Sequence, residues 1–298
     1  MLSINKIRLI SELSGNSDRL PRGIYNSIYN TIYILGAHRD NEALKPLSTM
    51  TPLTLTYQGK KTLNDNTVHI NFSVESEVPF EAQAGQFVRL HFTQADGKET
   101  FRSYSIADIF EQEKMVKKEI SMAVSWVEGG LATGALSAMK AGDTLQASGP
   151  FGRFCLLPDR HERYFLIATG TGVTPYRAML NIIKERLAQG SEVYVIMGAQ
   201  NETGLLYETD FQAMSNAEDN FHYIPCLSRK QRETPKPNDT QGYVQQYLAS
   251  HDFNPETDIS YLCGNPNMVD EAFALLKEKG LPVQQIKREK YISPKPRG

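Results

Sequence analysis

From residue 164 onward the chain alternates short apolar runs with amphipathic stretches, and this alternation limits the possible folds more than any other feature of the sequence. The apolar runs cover residues 164–168, 192–197, 221–227 and 259–263, and the amphipathic stretches cover residues 175–187, 208–214, 242–249 and 266–279. Strands that alternate with helices pack as a parallel sheet with helices on both faces. The second half is therefore predicted to be a doubly wound α/β domain.

The preceding segment has a different rhythm, in which short β-branched and aromatic runs follow one another with little helix between them. These runs cover residues 53–57, 68–74, 86–92, 102–106, 120–126 and 144–148. Turn residues, for example those at 64–66, separate the runs. Six such strands predict a small antiparallel β-barrel. With a junction near Pro158, the barrel domain would occupy residues 50–157 and the α/β domain residues 158–298.

Residues 1–49 show neither a helical nor a strand period. We therefore expect this N-terminal extension not to be needed for the fold of either domain. Met50 stands directly before the first predicted strand and offers an alternative start of translation.

The overall charge and the positions of the cysteines and histidines argue against several classes of protein. The formal net charge of −2 gives no reason to expect nucleic-acid binding. No apolar run approaches the roughly 20 residues that span a bilayer, and no secretion signal opens the chain. Cys155, Cys226 and Cys263 lie far apart, and the histidines are scattered. We therefore expect a cytoplasmic protein without a membrane span or a metal site.

One predicted strand of the barrel carries the sequence Arg102-Ser103-Tyr104-Ser105. Because side chains alternate along a strand, Arg102 and Tyr104 share one face. An arginine binds a phosphate in bidentate fashion, and a tyrosine packs against flat ring systems. An ordinary strand with a polar outer side explains the same residues equally well.

Paired glycines follow the fifth predicted strand, at Gly129 and Gly130. Glycines let backbone N–H groups approach an anion, and a helix starting near Thr133 would add its N-terminal dipole. The alternative interpretation is a simple loop that ends in a threonine cap.

The first strand of the α/β domain is followed by Gly170-Thr171-Gly172-Val173-Thr174-Pro175. Thr174 is predicted to cap the next helix, and Pro175 suits the first helical position. A helix that begins after such a turn attracts a pyrophosphate. The third glycine of the usual GxGxxG pattern is absent, so a plain strand-to-helix turn is the alternative.

Two further segments follow later strands of the predicted sheet. Cationic side chains follow the third strand at Ser228-Arg229-Lys230 and Arg232, and Cys263-Gly264 ends the fourth. Ligands of doubly wound sheets bind outside the carboxyl ends of the strands. A hydroxyl and cations placed there would hold a ribose phosphate, although a solvated basic loop and a core cysteine are the plainer alternatives.

Taken in order, these segments resemble the ferredoxin–NADP reductase superfamily, which includes flavin reductases and oxygenase reductases. The segments that carry the resemblance are Arg102 to Ser105, Gly130 to Thr133, Gly170 to Pro175, and Cys263-Gly264. The resemblance covers roughly Met50 to the C-terminus. It implies a flavin-binding barrel and a nucleotide-binding α/β domain, with FAD and NADP(H) or NAD(H) as cofactors.

The resemblance also implies roles for individual residues. It assigns to the FAD site Arg102, Ser103, Tyr104, Ser105, Gly130, Ala132 and Thr133. It assigns to the nicotinamide nucleotide site Gly170, Thr171, Gly172, Thr174, Pro175, Ser228, Arg229, Cys263 and Gly264. Arg102 would hold the flavin pyrophosphate, and Tyr104 would contact the isoalloxazine and ribityl groups. Catalytic roles would fall to Ser105, near flavin N5, to Cys263, beside the nicotinamide, and to Tyr291, the aromatic residue over the flavin.

The function predicted from this resemblance is hydride transfer between NAD(P)H and FAD, with ferredoxin or flavodoxin as the electron-transfer partner. Ser228, Arg229, Lys230 and Arg232 favour NADPH over NADH. A free-flavin reductase, an oxygenase reductase component and a non-enzymatic nucleotide-binding regulator are the alternatives. Two basic groups are predicted to steer an acidic protein partner: Lys114, Lys117 and Lys118 in a hairpin loop, and the C-terminal stretch that includes Lys287, Arg288 and Lys290.

Overall fold

The computed structural model describes residues 51–291. The predictions about residues 1–49 and Met50, and the last part of the cationic C-terminal stretch, concern residues outside this described range. All of the described residues belong to a single structural unit.

The first domain is built from antiparallel strands. They are β1 (Thr51–Asn64), β2 (Thr67–Glu75), β3 (Glu81–Gln83), β4 (Phe87–Thr93), β5 (Glu99–Ser105), β6 (Lys114–Val116), β7 (Glu119–Ser125) and β8 (Thr144–Phe151). Six of them form one sheet in the order β5-β4-β8-β1-β2-β7, and β3 pairs with β6. All six predicted strands are confirmed. A helix, α1 (Leu131–Ala138), follows β7.

The sheet of the first domain is not closed into a complete barrel. Among the described residues no ladder joins its edge strands β5 and β7. Just beyond β5, the Ala107 N–H donates to the Ser121 carbonyl at 2.8 Å, and the Asp108 carboxylate accepts from the backbone and hydroxyl of Ser121. These bonds bring the two edges together but leave β5 as an edge strand. An edge strand keeps backbone donors and acceptors free for a ligand.

The second domain is the predicted parallel sheet. Its strands are β9 (Arg163–Thr169), β10 (Glu192–Ala199), β11 (Phe221–Leu227), β12 (Thr240–Gln241), β13 (Asp258–Gly264) and β14 (Ile286–Lys290), in the order β12-β11-β10-β9-β13-β14. Its helices are α2 (Thr174–Ala178), α3 (Leu180–Ala188), α4 (Glu208–Ala217), α5 (Val244–Ala249) and α6 (Pro266–Glu278). The single helix predicted over residues 175–187 is divided at Met179.

Helices cover both faces of the parallel sheet, which confirms the doubly wound architecture. Side chains of α5 and α6 pack against one face. Side chains of α2, α3 and α4 pack against the other, and the same apolar cluster continues into the first domain. Phe154, for example, contacts the rings of Tyr176 and Tyr261. The carboxyl ends of the parallel strands are thereby held close to β5 and to the turn between β1 and β2.

Candidate active site

The end of β5 meets the end of β14 at the junction of the two domains. The hydroxyls of Ser105 and Tyr291 lie 2.5 Å apart. The Tyr291 backbone N–H also donates to the Gly264 carbonyl at 2.8 Å. Ser105 is buried, at 6% exposure, although it closes an edge strand. Tyr291 is therefore held at its backbone by the parallel sheet and at its hydroxyl by the first domain.

Cys263 and Glu289 complete the surroundings of Tyr291. Burial raises the pKa of the Cys263 thiol well above its usual value, and the nearby Glu289 raises it further. Burial likewise raises the pKa of the Tyr291 hydroxyl, with Cys263 and Glu289 as additional causes. Burial raises the pKa of Glu289 to about 7. At neutral pH the thiol and the phenol keep their protons, whereas Glu289 is close to its midpoint of titration.

Sequence reasoning missed Glu289 because β14 was not predicted. The strand contains only one apolar residue, Ile286, which is followed by four charged side chains. Had the strand been recognised, its period of two would have placed Glu289 and Tyr291 on the same side.

Arg102 and Tyr104 lie on the edge strand β5, as the sequence predicts. The Arg102 guanidinium donates to the Phe101 carbonyl at 2.7 Å. Burial raises the pKa of Tyr104 to about 12, and the Arg102 charge opposes part of that shift. Ser103 points to the opposite, exposed side of the strand. The arrangement presents one cation and one half-buried ring along the open edge of the sheet.

The N-terminus of α1 is free of side-chain caps. Gly130 is its N-cap residue, and the helix begins at Leu131, two residues before the predicted start. A Cβ at Gly130 would lie 2.9 Å from the Val127 carbonyl oxygen, so this turn requires glycine. The Thr133 hydroxyl accepts from the Val127 N–H at 3.1 Å. The first-turn N–H groups are left for an anion, which fits the diphosphate of a flavin dinucleotide.

Residues 170–173 form a 3-10 turn at the carboxyl end of β9. Gly170 has a φ of +55°, and the space beside its Cα is open. A Cβ at Gly172 would lie 2.3 Å from the Cys263 carbonyl oxygen. Gly172 therefore lets the turn approach the end of β13, while Gly170 and Thr171 line the groove described below.

The prediction that Thr174 caps the following helix is wrong. Because the 3-10 turn intervenes, Val173 is the N-cap residue of α2, and Thr174 is already helical. Thr174 is 2% exposed, and its hydroxyl has no hydrogen-bond partner in the structure. Pro175 is the second helical residue, and not the first as the sequence predicted, although it still lies in the first turn. An orphaned buried hydroxyl beneath the turn is available to a bound cofactor.

A groove of about 940 Å³ runs along the carboxyl ends of the parallel strands. At one end it is lined by Thr171, Gly264 and Tyr291, and across the sheet by Ser228 and Tyr243. The turn between β1 and β2 forms the opposite wall, where the Asn64 amide donates to the Thr203 carbonyl at 2.9 Å. The groove thus reaches Tyr291 and lies outside the carboxyl ends of the strands, where doubly wound sheets bind their ligands.

The four residues predicted to bind a ribose phosphate are not equivalent. Ser228 lines the groove, and its hydroxyl donates to the Ala199 carbonyl at 3.1 Å. Arg229 and Lys230 are exposed. Arg232 has a side chain only 1% exposed and is bound by carboxylates. Those carboxylates belong to Glu202, Glu208 and Asp239. The structure therefore removes Arg232 from the set of phosphate ligands.

Tyr243 is a groove residue that the sequence did not single out. Its side chain is 61% exposed at the start of α5. An exposed ring at a nucleotide groove offers a surface on which a base can stack. The only clue in the sequence was an aromatic residue in a loop that follows a parallel strand.

Comparison with known proteins agrees with this geometry. Residues 54–155 match the family described as the oxidoreductase FAD-binding domain, and residues 166–273 match the oxidoreductase NAD-binding domain. The chain is 31% identical to ferredoxin–NADP reductase B of Sorangium cellulosum over 220 residues, which cover 71% of this chain and 86% of that protein. It is 30% identical to the phenol hydroxylase P5 protein of Acinetobacter pittii over 72% of its own length and 59% of the relative's.

Solved structures show the same fold. The Amycolatopsis cytochrome P450 reductase GcoB superposes with a TM-score of 0.69 at 25% identity, covering 84% of this chain and 73% of that one. A ferredoxin NADP⁺ reductase from Neisseria gonorrhoeae, with bound FAD and NADP, gives a TM-score of 0.63 at 21% identity, covering 82% and 99%.

The two domains and the groove between them have the architecture of an FAD-dependent NAD(P)H oxidoreductase. The chain belongs to the ferredoxin–NADP reductase superfamily. It spans about 60% of the length of several oxygenase reductases among its relatives, including the phenol hydroxylase P5 protein at 59% and the terephthalate dioxygenase reductases at 60%. Within residues 51–291, none of the helices has the length and apolar character needed to cross a membrane.

Proposed function

We propose that this protein takes electrons from NAD(P)H and passes them, through bound FAD, to ferredoxin or flavodoxin. The observation that carries the proposal is the contact between Ser105 and Tyr291, which joins the flavin-binding edge of the first domain to the nucleotide groove. Residues 50–157 form the flavin domain in this proposal, and residues 158–298 the nucleotide domain.

The flavin domain would hold FAD along the open edge of its sheet. Arg102 would bind the pyrophosphate together with the uncapped N-terminus of α1, where Gly130 and Thr133 lie. Tyr104 would contact the ring system, because it is half-buried and shares a strand face with Arg102. The orphaned Thr174 hydroxyl would gain a partner not from FAD but from the pyrophosphate of the nicotinamide coenzyme.

The nucleotide domain would hold the coenzyme pyrophosphate at the 3-10 turn of residues 170–173. Gly170 and Thr171 line the groove there. Ser228 would contact the adenosine ribose, and Tyr243 would support the adenine ring. Cys263 would lie beside the nicotinamide, because it is the next-to-last residue of β13 and is close to Tyr291.

The chemistry that bound FAD supplies is the acceptance of a hydride from the nicotinamide and the release of its electrons one at a time. Ser105, Cys263 and Tyr291 are the proposed catalytic residues. Their uncharged hydroxyls and thiol orient the reacting groups and exclude water from the junction. Glu289, with a pKa of about 7, can take up or release a proton beside them near neutral pH.

The relatives favour a second candidate, the reductase component of an oxygenase. The phenol hydroxylase P5 protein and the toluate 1,2-dioxygenase electron transfer component of Pseudomonas putida are 30% and 29% identical to this chain. The three cysteines of this sequence do not have the spacing of a plant-type iron–sulfur site.

Anaerobic reduction of the purified full chain tests the proposal. We expect a yellow preparation with one FAD per chain, bleached by NADPH or NADH and reoxidised by ferredoxin or flavodoxin. A preparation that binds FAD but is not bleached by either coenzyme would contradict the enzymatic role. Bleaching followed by reoxidation only with free flavin or an oxygenase component would favour the alternatives.

A further inference from the structure

The charge of the coenzyme groove is carried by one side chain. Among the described residues that line the groove, Glu271 on α6 is the only one with a formal charge. Its exposed carboxylate lies on the same wall as Asn267, one helical turn earlier. An incoming coenzyme therefore meets a negative charge along this wall.

The position of the Glu271 carboxylate is fixed from a second helix. The Gln245 side-chain amide, on α5, donates to Glu271 Oε2 at 2.7 Å. The other polar atom of that amide, Gln245 Oε1, is buried without a partner. The amide is thus engaged by the carboxylate alone, and Glu271 Oε1 remains available to a ligand.

The cations that would offset this charge lie elsewhere. Arg229 and Lys230 are exposed and do not line the groove. Arg232 is enclosed by carboxylates on the far side of the loop. A ribose 2′-phosphate carries about −1.5 to −2 charges at neutral pH, so it would approach Glu271 with unfavourable electrostatics. A ribose hydroxyl, in contrast, donates a hydrogen bond to a carboxylate.

We infer that Glu271 is a specificity-determining residue that accepts a hydrogen bond from the adenosine ribose and discriminates against a 2′-phosphate, so that NADH is the preferred coenzyme. Gln245 is the positioning residue that holds the carboxylate. The inference rests on the proposed function of the groove, and it reverses the preference for NADPH that the sequence predicts from Ser228, Arg229, Lys230 and Arg232. Repulsion of the wrong ligand is a common means of achieving specificity.

The test compares wild type with Glu271→Gln, which keeps the shape and removes the charge. We expect the ratio of kcat/KM for NADPH to that for NADH to rise about tenfold, equivalent to about 1.4 kcal/mol. Asp270→Asn is the matched control, because Asp270 is the neighbouring exposed acid on the same helix and does not line the groove. An unchanged ratio in Glu271→Gln, or an equal rise in Asp270→Asn, would overturn the inference.

Calorimetric titration of the full chain with 5′-AMP and with 2′,5′-ADP separates this inference from the proposed function. Wild type should bind 5′-AMP more tightly, and Glu271→Gln should lose that preference. If wild type shows the preference but does not reduce its flavin with NADH, the proposed function fails and the groove assignment stands. If wild type prefers 2′,5′-ADP, the inference fails even when turnover is normal. Gln245→Met leaves the negative charge of Glu271 in place but removes the hydrogen bond that fixes its carboxylate. This variant should raise the KM for NADH several-fold at unchanged kcat.

Discussion

The Ser105 and Tyr291 hydroxyls lie 2.5 Å apart although the two residues are separated by 186 positions in the chain. Ser105 closes the edge strand of the flavin domain, and Tyr291 follows the edge strand of the nucleotide domain. The bond therefore connects the two proposed cofactor sites directly. A substitution of either residue is therefore expected to affect both sites.

The first prediction concerns the coupling of these two hydroxyls. Ser105→Ala and Tyr291→Phe should each slow flavin reduction roughly threefold to tenfold, because each removes a hydrogen bond of about 0.7–1.4 kcal/mol. The double variant should be no slower than the slower single variant. Stopped-flow reduction of the FAD-loaded enzyme measures these rates. Tyr243→Phe, a change in the same groove, is the control: its effect on the rate of flavin reduction and that of Ser105→Ala should be additive as free energies. Simple additivity of the Ser105 and Tyr291 changes would show that the bond has no role in the reaction.

The second prediction concerns flavin retention. Arg102→Ala should weaken FAD binding by about 1.5–3 kcal/mol, the usual worth of a charge-assisted hydrogen bond. Fluorescence titration of the apoprotein with FAD gives the affinity. Lys98→Ala removes a cation from the exposed turn of the same hairpin and should leave the affinity unchanged. Full FAD occupancy and wild-type affinity in Arg102→Ala would refute the proposed flavin site.

The third prediction concerns the dependence of stability on pH. Burial raises the pKa of Glu289 from 4.5 to about 7, so between these values the folded chain binds a proton that the unfolded chain does not. The free energy of unfolding should therefore fall as pH rises through this interval. Relative to wild type, Glu289→Gln should gain about 2–3 kcal/mol between pH 4.5 and pH 8.

Urea unfolding of both proteins at pH 4.5, 6 and 8 measures the stability difference directly. Glu77→Gln, a change at an exposed loop glutamate, is the control and should show no pH-dependent difference from wild type. A constant difference between Glu289→Gln and wild type across this range would mean that Glu289 keeps an ordinary pKa.

The sequence predicts most of the fold because each element has its own periodic pattern. The period-two pattern of residues 53–57 and the strand-turn-helix order at residues 164–187 are local features. The strand β14 has no such pattern, because it is held at the sheet edge by pairing with β13 and not by its own apolar residues. Glu289 was missed together with that strand.

The burial of Arg232 among carboxylates could not be predicted from the sequence, for a different reason. Its partner Asp239 is seven positions away, but Glu202 and Glu208 lie in other segments that only the fold brings close. In sequence Arg232 is indistinguishable from its neighbour Lys230, which is exposed. Burial, and not residue type, decides which cation is available to a ligand.

The fourth prediction follows from that burial. Arg232→Met should reduce kcat/KM for NADH and NADPH by the same factor, because Arg232 holds the loop between β11 and β12 and does not contact a phosphate. It should also cost about 3–5 kcal/mol of stability, since the Asp239 carboxylate, whose side chain is 6% exposed, loses its cationic partner and Glu208 keeps only Lys236. Steady-state kinetics and urea unfolding provide the two measurements. A selective loss with NADPH would restore the phosphate-binding role predicted from the sequence.

The last prediction concerns the surface that an acidic electron-transfer protein would contact. In the structure, some lysines of the two predicted basic groups form ion pairs and others do not. Lys114, Lys117 and Lys290 are paired with acids at 2.5, 3.9 and 2.6 Å, respectively. Lys118 has no ion pair in the structure, and Lys287 lies on the same side of β14 as Tyr291.

We therefore predict that Lys118 and Lys287 are the cations of the two groups that steer ferredoxin or flavodoxin. Reversing both to Glu should slow reduction of the protein acceptor about tenfold at 0.01 M salt and much less at 0.1 M, because the Debye length falls from roughly 30 Å to 10 Å. Reduction of a small neutral acceptor should not change.

The control is reversal of Lys277 and Arg288, which changes the net charge equally but lies beside Phe273 on the α6 side of the sheet. If reversal of Lys277 and Arg288 slows the protein acceptor as much as reversal of Lys118 and Lys287, the effect is due to net charge and not to a docking surface. Wild-type rates with Lys118 and Lys287 reversed would exclude this surface as the docking site and favour a small acceptor, because such an acceptor has no need of electrostatic steering.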